Sequence, residues 1–376
     1  MGNSVGNNKQ KTRVIWFTNI PSPYRVDFFE ELGKNIDLFV VFEKKRSDER
    51  DKSWECTKIS SFRAVFLNGY TVRTDSAFDF KVLQYLHKCN EYDYVVFSNP
   101  LTPLGIFCIL FCRTYCIPFY IETDGGFPKN GKGARERLKK ICISGAQGCF
   151  STARIHDEYY LQYGAKSQKI IRYPFTSVHE YDLLQEPIDE CKKEDLRSKL
   201  GITQRKMVLG VGQFIRRKGF DVLLEIGADL DEDTAIVLLG GDETSEYEEI
   251  IKRHNLKNVF FPGFISKDRI AEYYQAADVF VLPTREDIWG LVINEAIAYA
   301  LPVVTTTRCI AGTELVRQGV NGYLIEPDDR EGLKKAVQNI LDDKRLRERM
   351  AHESLKTARN YTIENMVKVH ELVFIS

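Results

Sequence analysis

The chain has 376 residues, and its apolar and charged fractions of 43% and 28% are those of an ordinary soluble globular protein. This length exceeds what one hydrophobic core usually serves, so two domains are expected. The 53 basic and 53 acidic residues balance, so no global field points to nucleic acid as a partner.

Residues 1–12 are polar and are expected to form a disordered tail. They lack the apolar stretch of a secretory signal, and the MGNSVG start lacks the Ser or Thr of a myristoylation signal at position six. The longest apolar run, 104–112, is too short to span a bilayer. The nine cysteines lack the paired close spacing of zinc sites. Together these features favour a reducing, cytoplasmic location.

Short apolar, β-rich runs alternate with helix-patterned stretches, such as 25–33 and 78–89, in the first half of the chain. This alternation predicts a parallel sheet covered by helices on both faces. The predicted strands are 14–18, 38–42, 64–67, 94–97, 119–121, 149–151 and 170–173.

A charged connector over 177–200 interrupts the alternation, and a second series then follows. Its predicted strands are 207–211, 235–239, 259–261, 279–282, 303–305 and 323–325. The expected fold class is therefore α/β, with two doubly wound domains that face each other across a cleft. In such sheets ligands bind beyond the carboxyl ends of the strands.

The turn after the first strand, NIPSPYR, lacks the G-x-G-x-x-G of dinucleotide enzymes, which argues against a nicotinamide or flavin oxidoreductase. It offers Asn19, Ser22, Tyr24 and Arg25 as substrate contacts. A Pro-rich turn that only caps a helix fits the same residues.

A basic turn follows the first strand of the second domain, in GVGQFIRRKGFD. Gly212 permits close approach of a ligand to the backbone. Arg216, Arg217 and Lys218 come just before a helix, and cations beside free backbone N–H groups suit a phosphate or diphosphate. A solvated basic turn is the alternative interpretation.

The segment PTREDIWGLVINEA, residues 283–296, combines a strand end, two acids and a predicted helix over 289–300. The N–H groups at the start of that helix, around Ile288, Trp289, Gly290 and Leu291, favour an anion or a sugar oxygen. Glu295 lies among apolar residues and needs hydrogen-bond donors, which ribose hydroxyls would supply. A Glu that turns to solvent, or that pairs with a Lys or Arg, is the alternative.

Four motifs follow one another in the second half: GVGQFIRRKGFD, FFPGF, ADVFVLPTREDIWGLVINEAIAYALPVV and GVNGYLI. Their combination resembles the retaining glycosyltransferases of family 4, strongly over about 200–330 and more weakly over the N-terminal half. The resemblance implies the GT-B fold, with an acceptor-side Rossmann-like domain over 13–176 and a nucleotide-sugar-binding one over 177–360. The stretch YTIENMVKVHELVF is similar to the family's last helix, so 361–376 is expected to cross back to the first domain.

The resemblance also implies roles for the two acids of the third motif. The family spaces them with seven residues between, and a glycine three after the first, which selects Asp287, Gly290 and Glu295. The first acid contacts the donor sugar and the second the ribose. Asp287 is one methylene shorter than the usual Glu, and Glu286 is the neighbour that could compensate.

Two further sets of residues are implied by the resemblance. The family's diphosphate-binding Arg and Lys correspond to Gln213 and Lys218. Because Gln213 brings no charge, a separate hypothesis, which the family does not supply, is that Arg216 or Arg217 shares this role. Gly263 and Phe264 match the loop near the nucleobase.

The family often has a His after the fifth strand, and this chain has none there. Glu122 and Asp124 are the polar candidates at that place, with Asp124 also the candidate for a protein nucleophile. A plain glycine turn is equally compatible with this stretch.

The implied activity is transfer of a hexose or N-acetylhexosamine from a nucleotide-sugar, with retention, to a glycan or lipid-linked acceptor in bacterial surface-polysaccharide or glycolipid synthesis. A UDP-sugar is favoured as donor, with GDP-mannose next. Neither a metal nor another cofactor is expected, because Lys, Arg and helix N–H groups can neutralise the leaving diphosphate. The alternatives are a GT-B nucleotide-sugar epimerase and a non-catalytic nucleotide- or sugar-binding protein.

Residues 129–140, KNGKGARERLKK, carry six cations and one acid, Glu136. Such a cluster suits an anionic membrane surface at the cytoplasmic face of the cell membrane. It is equally compatible with a solvated loop that leads into a helix.

Overall fold

The computed structural model of the chain describes residues 11–45, 59–67, 69–73, 75–129 and 131–375. Most of the predicted tail, residues 1–10, lies outside these ranges. The chain divides into two compact units: Met1–Tyr173 with Ile363–Ser376, called unit 1, and Pro174–Thr362, called unit 2. The domain limits expected from sequence, 176/177 and 360/361, fall within three residues of these divisions.

Unit 1 is built on a seven-stranded parallel sheet in the order β3-β2-β1-β6-β7-β8-β9, plus an antiparallel hairpin, β4–β5. Its elements are β1 (Arg13–Thr18), α1 (Pro23–Leu32), β2 (Asp37–Phe42), β3 (Arg63–Phe66), β4 (Tyr70–Arg73), β5 (Ser76–Phe78), α2 (Leu83–Leu86), β6 (Tyr94–Phe97), α3 (Pro103–Thr114), β7 (Tyr120–Glu122), α4 (Ala134–Ser144), β8 (Gly148–Ser151), α5 (Arg154–Gln162) and β9 (Ile170–Arg172).

Unit 2 has a six-stranded parallel sheet in the order β12-β11-β10-β13-β14-β15. Its elements are α6 (Glu190–Lys199), β10 (Lys206–Val211), α7 (Phe220–Glu225), β11 (Thr234–Leu239), α8 (Ser245–His254), β12 (Val259–Phe260), α9 (Lys267–Ala276), β13 (Val279–Leu282), α10 (Leu291–Ala298), β14 (Val303–Thr306), α11 (Ile310–Leu315), β15 (Gly322–Ile325), α12 (Arg330–Asp342) and α13 (Lys344–Ala358). The predicted α/β class with two parallel sheets is therefore confirmed.

The last helix, α14 (Ile363–Phe374), belongs to unit 1 and packs on α1. Its buried His370 stacks on Phe150 of the sheet, with ring centroids 4.2 Å apart, and also meets Trp16 at 5.9 Å. The aromatic side chains of β1 and β8 thus form the surface that this helix covers. The opposite face of the sheet is covered by α3, α4 and α5, whose apolar side chains join the core there.

The predicted helix over 78–89 is wrong in its first half. Phe78 pairs with Tyr70 in the hairpin, and the Asp79 carboxylate then accepts the backbone N–H of Lys81 to begin a single 3-10 turn. The α-helix that follows, α2, is only four residues long. The hairpin itself was absent from the sequence prediction.

Candidate functional site in unit 2

The basic turn after β10 and the loop after β13 lie against each other. Gly219, with φ of +73°, is so close to this loop that an added Cβ would stand 2.0 Å from the Pro283 carbonyl oxygen. The Arg285 backbone N–H and the Thr284 hydroxyl both donate to the Arg217 carbonyl at 2.8 Å. Only glycine fits at 219, and it lets the two segments share hydrogen bonds.

The loop after β13 is also fixed to the loop after β14. The Asp287 N–H donates to the Arg308 carbonyl at 2.8 Å, and the N–H groups of Ile310 and Ala311 donate to Asp287 and Trp289 carbonyls. The backbone around Asp287 is thus held on both sides, which fixes the direction of its side chain.

The Asp287 carboxylate forms an ion pair with Lys218. The Lys218 Nζ lies 2.6 Å from Asp287 Oδ2, with only 12% of each side chain exposed, and Arg217 Nη1 lies 3.4 Å from Oδ1. The Glu286 carboxylate instead pairs with Arg308 Nη2 at 2.6 Å. Of the two adjacent acids, the structure therefore brings Asp287 to the basic turn.

The helix α10 begins at Leu291, two residues later than predicted. Gly290 precedes it with φ of +98° and ψ of +64°, which ends any helical path through Trp289. An added Cβ on Gly290 would stand 3.7 Å from Asp287 Oδ2, so the Asp287 carboxylate lies beside the N-terminus of α10. Cations, a carboxylate and helix N–H groups thus meet at one place.

Of the four residues predicted at the start of this helix, Trp289 and Ile288 differ in how exposed their side chains are. Trp289 is 3% exposed, donates its Nε1–H to Asn294 Oδ1 at 2.8 Å and packs on Phe175. Its side chain is part of the core, and the predicted role of Trp289, which concerned its backbone N–H group, stays a prediction. Ile288 is exposed beside the same loop.

Glu295 is half-buried on α10 and accepts hydrogen bonds. The Tyr274 hydroxyl donates to Oε2 at 2.8 Å, and the Ser177 hydroxyl lies 3.4 Å from Oε1. Burial, and then the nearby Glu295 charge, raise the pKa of Tyr274. The alternative of a carboxylate turned fully to solvent does not apply.

The remaining predicted contacts surround this centre. Gln213 and Arg216 are exposed in the basic turn. An added Cβ on Gly212 would stand 3.5 Å from Lys218 Cε, and the Gly263 carbonyl accepts the Gly240 N–H at 3.2 Å. Because Gly240 itself lies against Gly212, the FFPGF loop reaches the same edge of the sheet. Phe264 in that loop is exposed.

The four residues of unit 1 that were predicted as substrate contacts differ in their burial and in their hydrogen bonds. Arg25, 3% exposed, donates to Glu122 Oε1 at 2.7 Å and to Asp124 Oδ1 at 2.6 Å. The Tyr24 hydroxyl donates to Asp124 Oδ2 at 2.7 Å. Ser22 is buried ahead of α1, whereas Asn19 is partly exposed.

This cluster corrects the expected contacts for Arg25 and Glu122. Both side chains are buried and hold each other, so neither is placed to meet a ligand directly. Asp124 keeps 42% of its side chain exposed while Arg25 and Tyr24 fix its two oxygens. Burial raises the pKa of Tyr24, and the neighbouring Asp124 carboxylate raises it further. Asp124 is the group of this cluster that a ligand can reach.

The second half of the chain is similar to a known protein family. Residues 192–357 match the family described as glycosyl transferases group 1. The matched segment contains Lys218, Asp287, Gly290 and Glu295.

Curated proteins that are similar to this chain carry several activities in their names. The chain is 27% identical to the alpha-D-kanosaminyltransferase of Streptomyces kanamyceticus, over 54% of this chain and 53% of that protein. It is 33% identical to a lipopolysaccharide core biosynthesis glycosyltransferase of Rhizobium meliloti, over 40% and 44%. The chain spans about half the length of the curated relatives it matches.

Solved structures match the whole chain. Anabaena HepE in complex with UDP has a TM-score of 0.76 at 16% identity, over 96% of this chain and 98% of that one. Sucrose-phosphate synthase from Thermosynechococcus elongatus has a TM-score of 0.73 at 19% identity, over 97% and 98%. The chain has the GT-B fold, with two Rossmann-like domains and a C-terminal helix.

Sequence reasoning missed three residues of unit 2. Tyr274 and Ser177 hold Glu295, and Arg285 holds the basic turn. Tyr274 has the pattern of a core helix residue and Ser177 lies in the connector, so neither gave a signal. Arg285 lies three residues after the end of β13, and this position alone could have pointed to it.

Proposed function

We propose that the protein is a glycosyltransferase that takes a sugar from a nucleotide-sugar bound at the carboxyl ends of β10, β12 and β13. The observation that carries this proposal is the Lys218–Asp287 pair at the N-terminus of α10, with its 2.6 Å separation. A preformed cation beside helix N–H groups is suited to a diphosphate, and a fixed carboxylate is suited to sugar hydroxyls.

Each side chain has a distinct part in this proposal. Lys218, with Arg216 or Arg217, neutralises the diphosphate, and the first N–H groups of α10 add their dipole. Asp287 contacts the donor sugar. Glu295, which Tyr274 orients, accepts hydrogen bonds from the ribose hydroxyls. The exposed ring of Phe264 lies beside the nucleobase.

We propose transfer with retention by a front-face reaction. The bond between the sugar C1 and the diphosphate oxygen breaks with both electrons going to the diphosphate, and the acceptor hydroxyl oxygen bonds to C1 on the same face. The hydroxyl proton passes to the departing phosphate oxygen, so the step balances without a protein base. Lys218 stabilises the developing negative charge, and the proposal includes no metal or other cofactor.

A UDP-sugar is the proposed donor. The supporting observation is that structural neighbours of this chain, those of Anabaena HepE, are described as complexes with UDP and with UDP-glucose. A GDP-sugar is the rival. The proposed acceptor is a glycan or lipid-linked sugar in polysaccharide or glycolipid synthesis, with Asp124 as the unit 1 carboxylate that binds one of its hydroxyls.

We further propose that the outer surface of α3 and α4 contacts an anionic membrane. Arg135, Arg137 and Lys140 of α4 are exposed, together with the apolar Ile141. Lys139 differs from its neighbours, since it is buried against Glu136 and Tyr163. In the neighbouring α3, Arg113 donates to the Ile141 carbonyl. Exposed cations interleaved with apolar side chains suit a bilayer surface. Within the described residues, no helix is both long and apolar enough to traverse a membrane.

A nucleotide panel tests the donor site. We expect UDP to raise the melting temperature more than GDP, ADP or CMP, and Glu295→Ala to abolish this shift because the ribose loses its acceptor. Glu348→Ala, on the exposed face of α13, is the control and should keep the full shift. Transfer assays with sugars on the nucleotide that binds best then test the activity.

Two outcomes would count against the proposal. A full UDP shift in the Glu295→Ala variant would remove the ribose assignment. Nucleotide binding without any transfer or donor hydrolysis, across a broad set of donors, would favour a non-catalytic binding protein instead.

A further inference from the structure

All three nitrogens of the Arg285 guanidinium contact other groups of the protein. Its Nη1 donates to the Arg216 carbonyl at 2.5 Å and to Asp221 Oδ1 at 2.9 Å, and its Nη2 reaches Asp221 Oδ2 at 2.6 Å. The Nε donates to Asp328 Oδ1 at 2.8 Å, which Nη2 also approaches at 2.7 Å. Arginine has five N–H donors, and four of them make these hydrogen bonds, while the Nη2 approach to Asp328 is an ion-pair contact. A ligand at this guanidinium would have to compete with these protein contacts.

The acceptors of Arg285 join three segments around the basic turn. Arg216 belongs to the turn itself, Asp221 to the first turn of α7, and Asp328 to the segment after β15. The Arg285 backbone N–H also donates to the Arg217 carbonyl. Two carbonyl oxygens of the turn are thereby held by Arg285, which fixes the backbone that carries the cationic side chains of the turn.

Arg285 also neutralises two carboxylates close to the turn, those of Asp221 and Asp328. Asp221 follows Lys218 by three residues, and Arg285 grips both of its oxygens in a bidentate pair. Without that partner, the Asp221 charge would repel a diphosphate held by the same turn. Lysine keeps the charge but lacks the planar fork, so it could replace only part of this arrangement.

We propose that Arg285 is a positioning residue that sets the affinity of the basic turn for a diphosphate without touching it. The inference rests on the proposed function, since it assumes that a donor diphosphate binds at Lys218. It concerns only the diphosphate part of the ligand, so the nucleoside part should bind equally well with or without Arg285.

The test compares UDP with uridine, or GDP with guanosine if the panel favours GDP. Calorimetry gives the dissociation constant of the diphosphate, and an NMR titration gives that of the nucleoside. We expect Arg285→Met to weaken the diphosphate at least tenfold and Arg285→Lys about threefold, with nucleoside affinity unchanged. Arg317→Met, which removes an exposed Arg paired with Glu353, is the matched control and should alter neither.

The double variant Asp221→Asn with Arg285→Met adds a second readout. Since the repelling carboxylate is gone, we expect it to recover part of the diphosphate affinity that Arg285→Met loses. A purely structural role for Arg285 predicts no such recovery, and equal losses for diphosphate and nucleoside. If Arg285→Met does not fold, Arg285→Lys and the Asp221→Asn variant of it carry the same comparison.

Lys218→Ala separates failure of this inference from failure of the proposed function. If Lys218→Ala weakens the diphosphate and folded Arg285 variants do not, the positioning role is wrong and the donor site stands. If Lys218→Ala also binds the diphosphate normally, the donor site is not at the basic turn and both ideas fail.

Discussion

At the scale of single residues, the main result concerns two adjacent acids. The spacing to Gly290 and Glu295 selected Asp287, and the structure places its carboxylate on Lys218 while Glu286 faces Arg308. Sequence could rank the two because the pattern of the family that the chain resembles places its first acid three residues before the glycine at 290. It could not show that Arg25 and Glu122 are buried, because their pairing joins residues 97 positions apart.

Single substitutions at the two acids should separate them. We expect Asp287→Ala to lower kcat for transfer by about a hundredfold or more, the range seen when a group that stabilises the transition state is removed. Glu286→Ala should change kcat by less than about threefold. Steady-state assays with the donor identified in the nucleotide panel measure both. Equal losses in the two variants would contradict the assignment.

At the scale of elements, the strands were predictable and some helix limits were not. Buried parallel strands are continuous apolar runs, so their positions could be read directly. The start of α10 depends on the left-handed conformation of Gly290, and the β4–β5 hairpin depends on pairing between short mixed segments. Such features come from tertiary contacts, which a local pattern does not contain.

The close approach of Gly219 to Pro283 leads to a prediction about the packing of the basic turn against the loop after β13. Gly219→Ala would force a Cβ against the Pro283 carbonyl oxygen, so we expect a loss of about 3 kcal/mol or more in unfolding free energy. Gly201→Ala is the matched control, because its φ of +76° is similar but, among the described residues, nothing lies within 4 Å of the added Cβ. It should lose only about 1 kcal/mol.

Urea denaturation of the two alanine variants measures this difference. Equal losses would mean that backbone strain alone matters at Gly219. The loop contact would then be softer than the 2.0 Å approach indicates.

At the scale of the whole molecule, charge is uneven although the formal net charge is zero. Exposed cations are concentrated on the outer surface of α4, so the proposed membrane contact would place this surface of unit 1 against the bilayer. Exchanging Arg137 and Lys140 for Glu should lower binding to vesicles of phosphatidylcholine with phosphatidylglycerol by at least about tenfold, since each basic residue contributes about 1 kcal/mol.

Co-sedimentation with these vesicles is the measurement for the membrane contact. Vesicles of phosphatidylcholine alone should not bind the protein, and the double exchange Lys344→Glu with Arg345→Glu on α13 serves as the charge-matched control. Binding that ignores anionic lipid would remove the membrane proposal.

The stability of unit 1 should depend on pH through Glu43. Burial raises the pKa of this carboxyl from 4.5 to about 7, while Thr102 and the Ala77 N–H donate to it. The folded state therefore holds the proton more tightly, so this contribution to stability is complete below pH 4.5 and is lost as pH rises through 7. The total is about 3 kcal/mol at most.

Glu43→Gln should remove this dependence, because the amide cannot ionise. Urea unfolding at pH 5 and pH 8 would show the variant gaining stability relative to the natural protein at the higher pH. If the unfolding free energies of the two proteins changed equally between pH 5 and pH 8, Glu43 would be hydrated in the folded state.

The position of α14 has a consequence for how the chain is made. Unit 1 comprises residues from both sides of unit 2, so its last helix leaves the ribosome only after all of unit 2 has been synthesised. Until then the aromatic surface around Trp16 and Phe150 lacks its cover. A nascent chain paused before residue 363 would therefore expose this aromatic surface to solvent. A chaperone that binds aromatic segments would bind the chain at that stage.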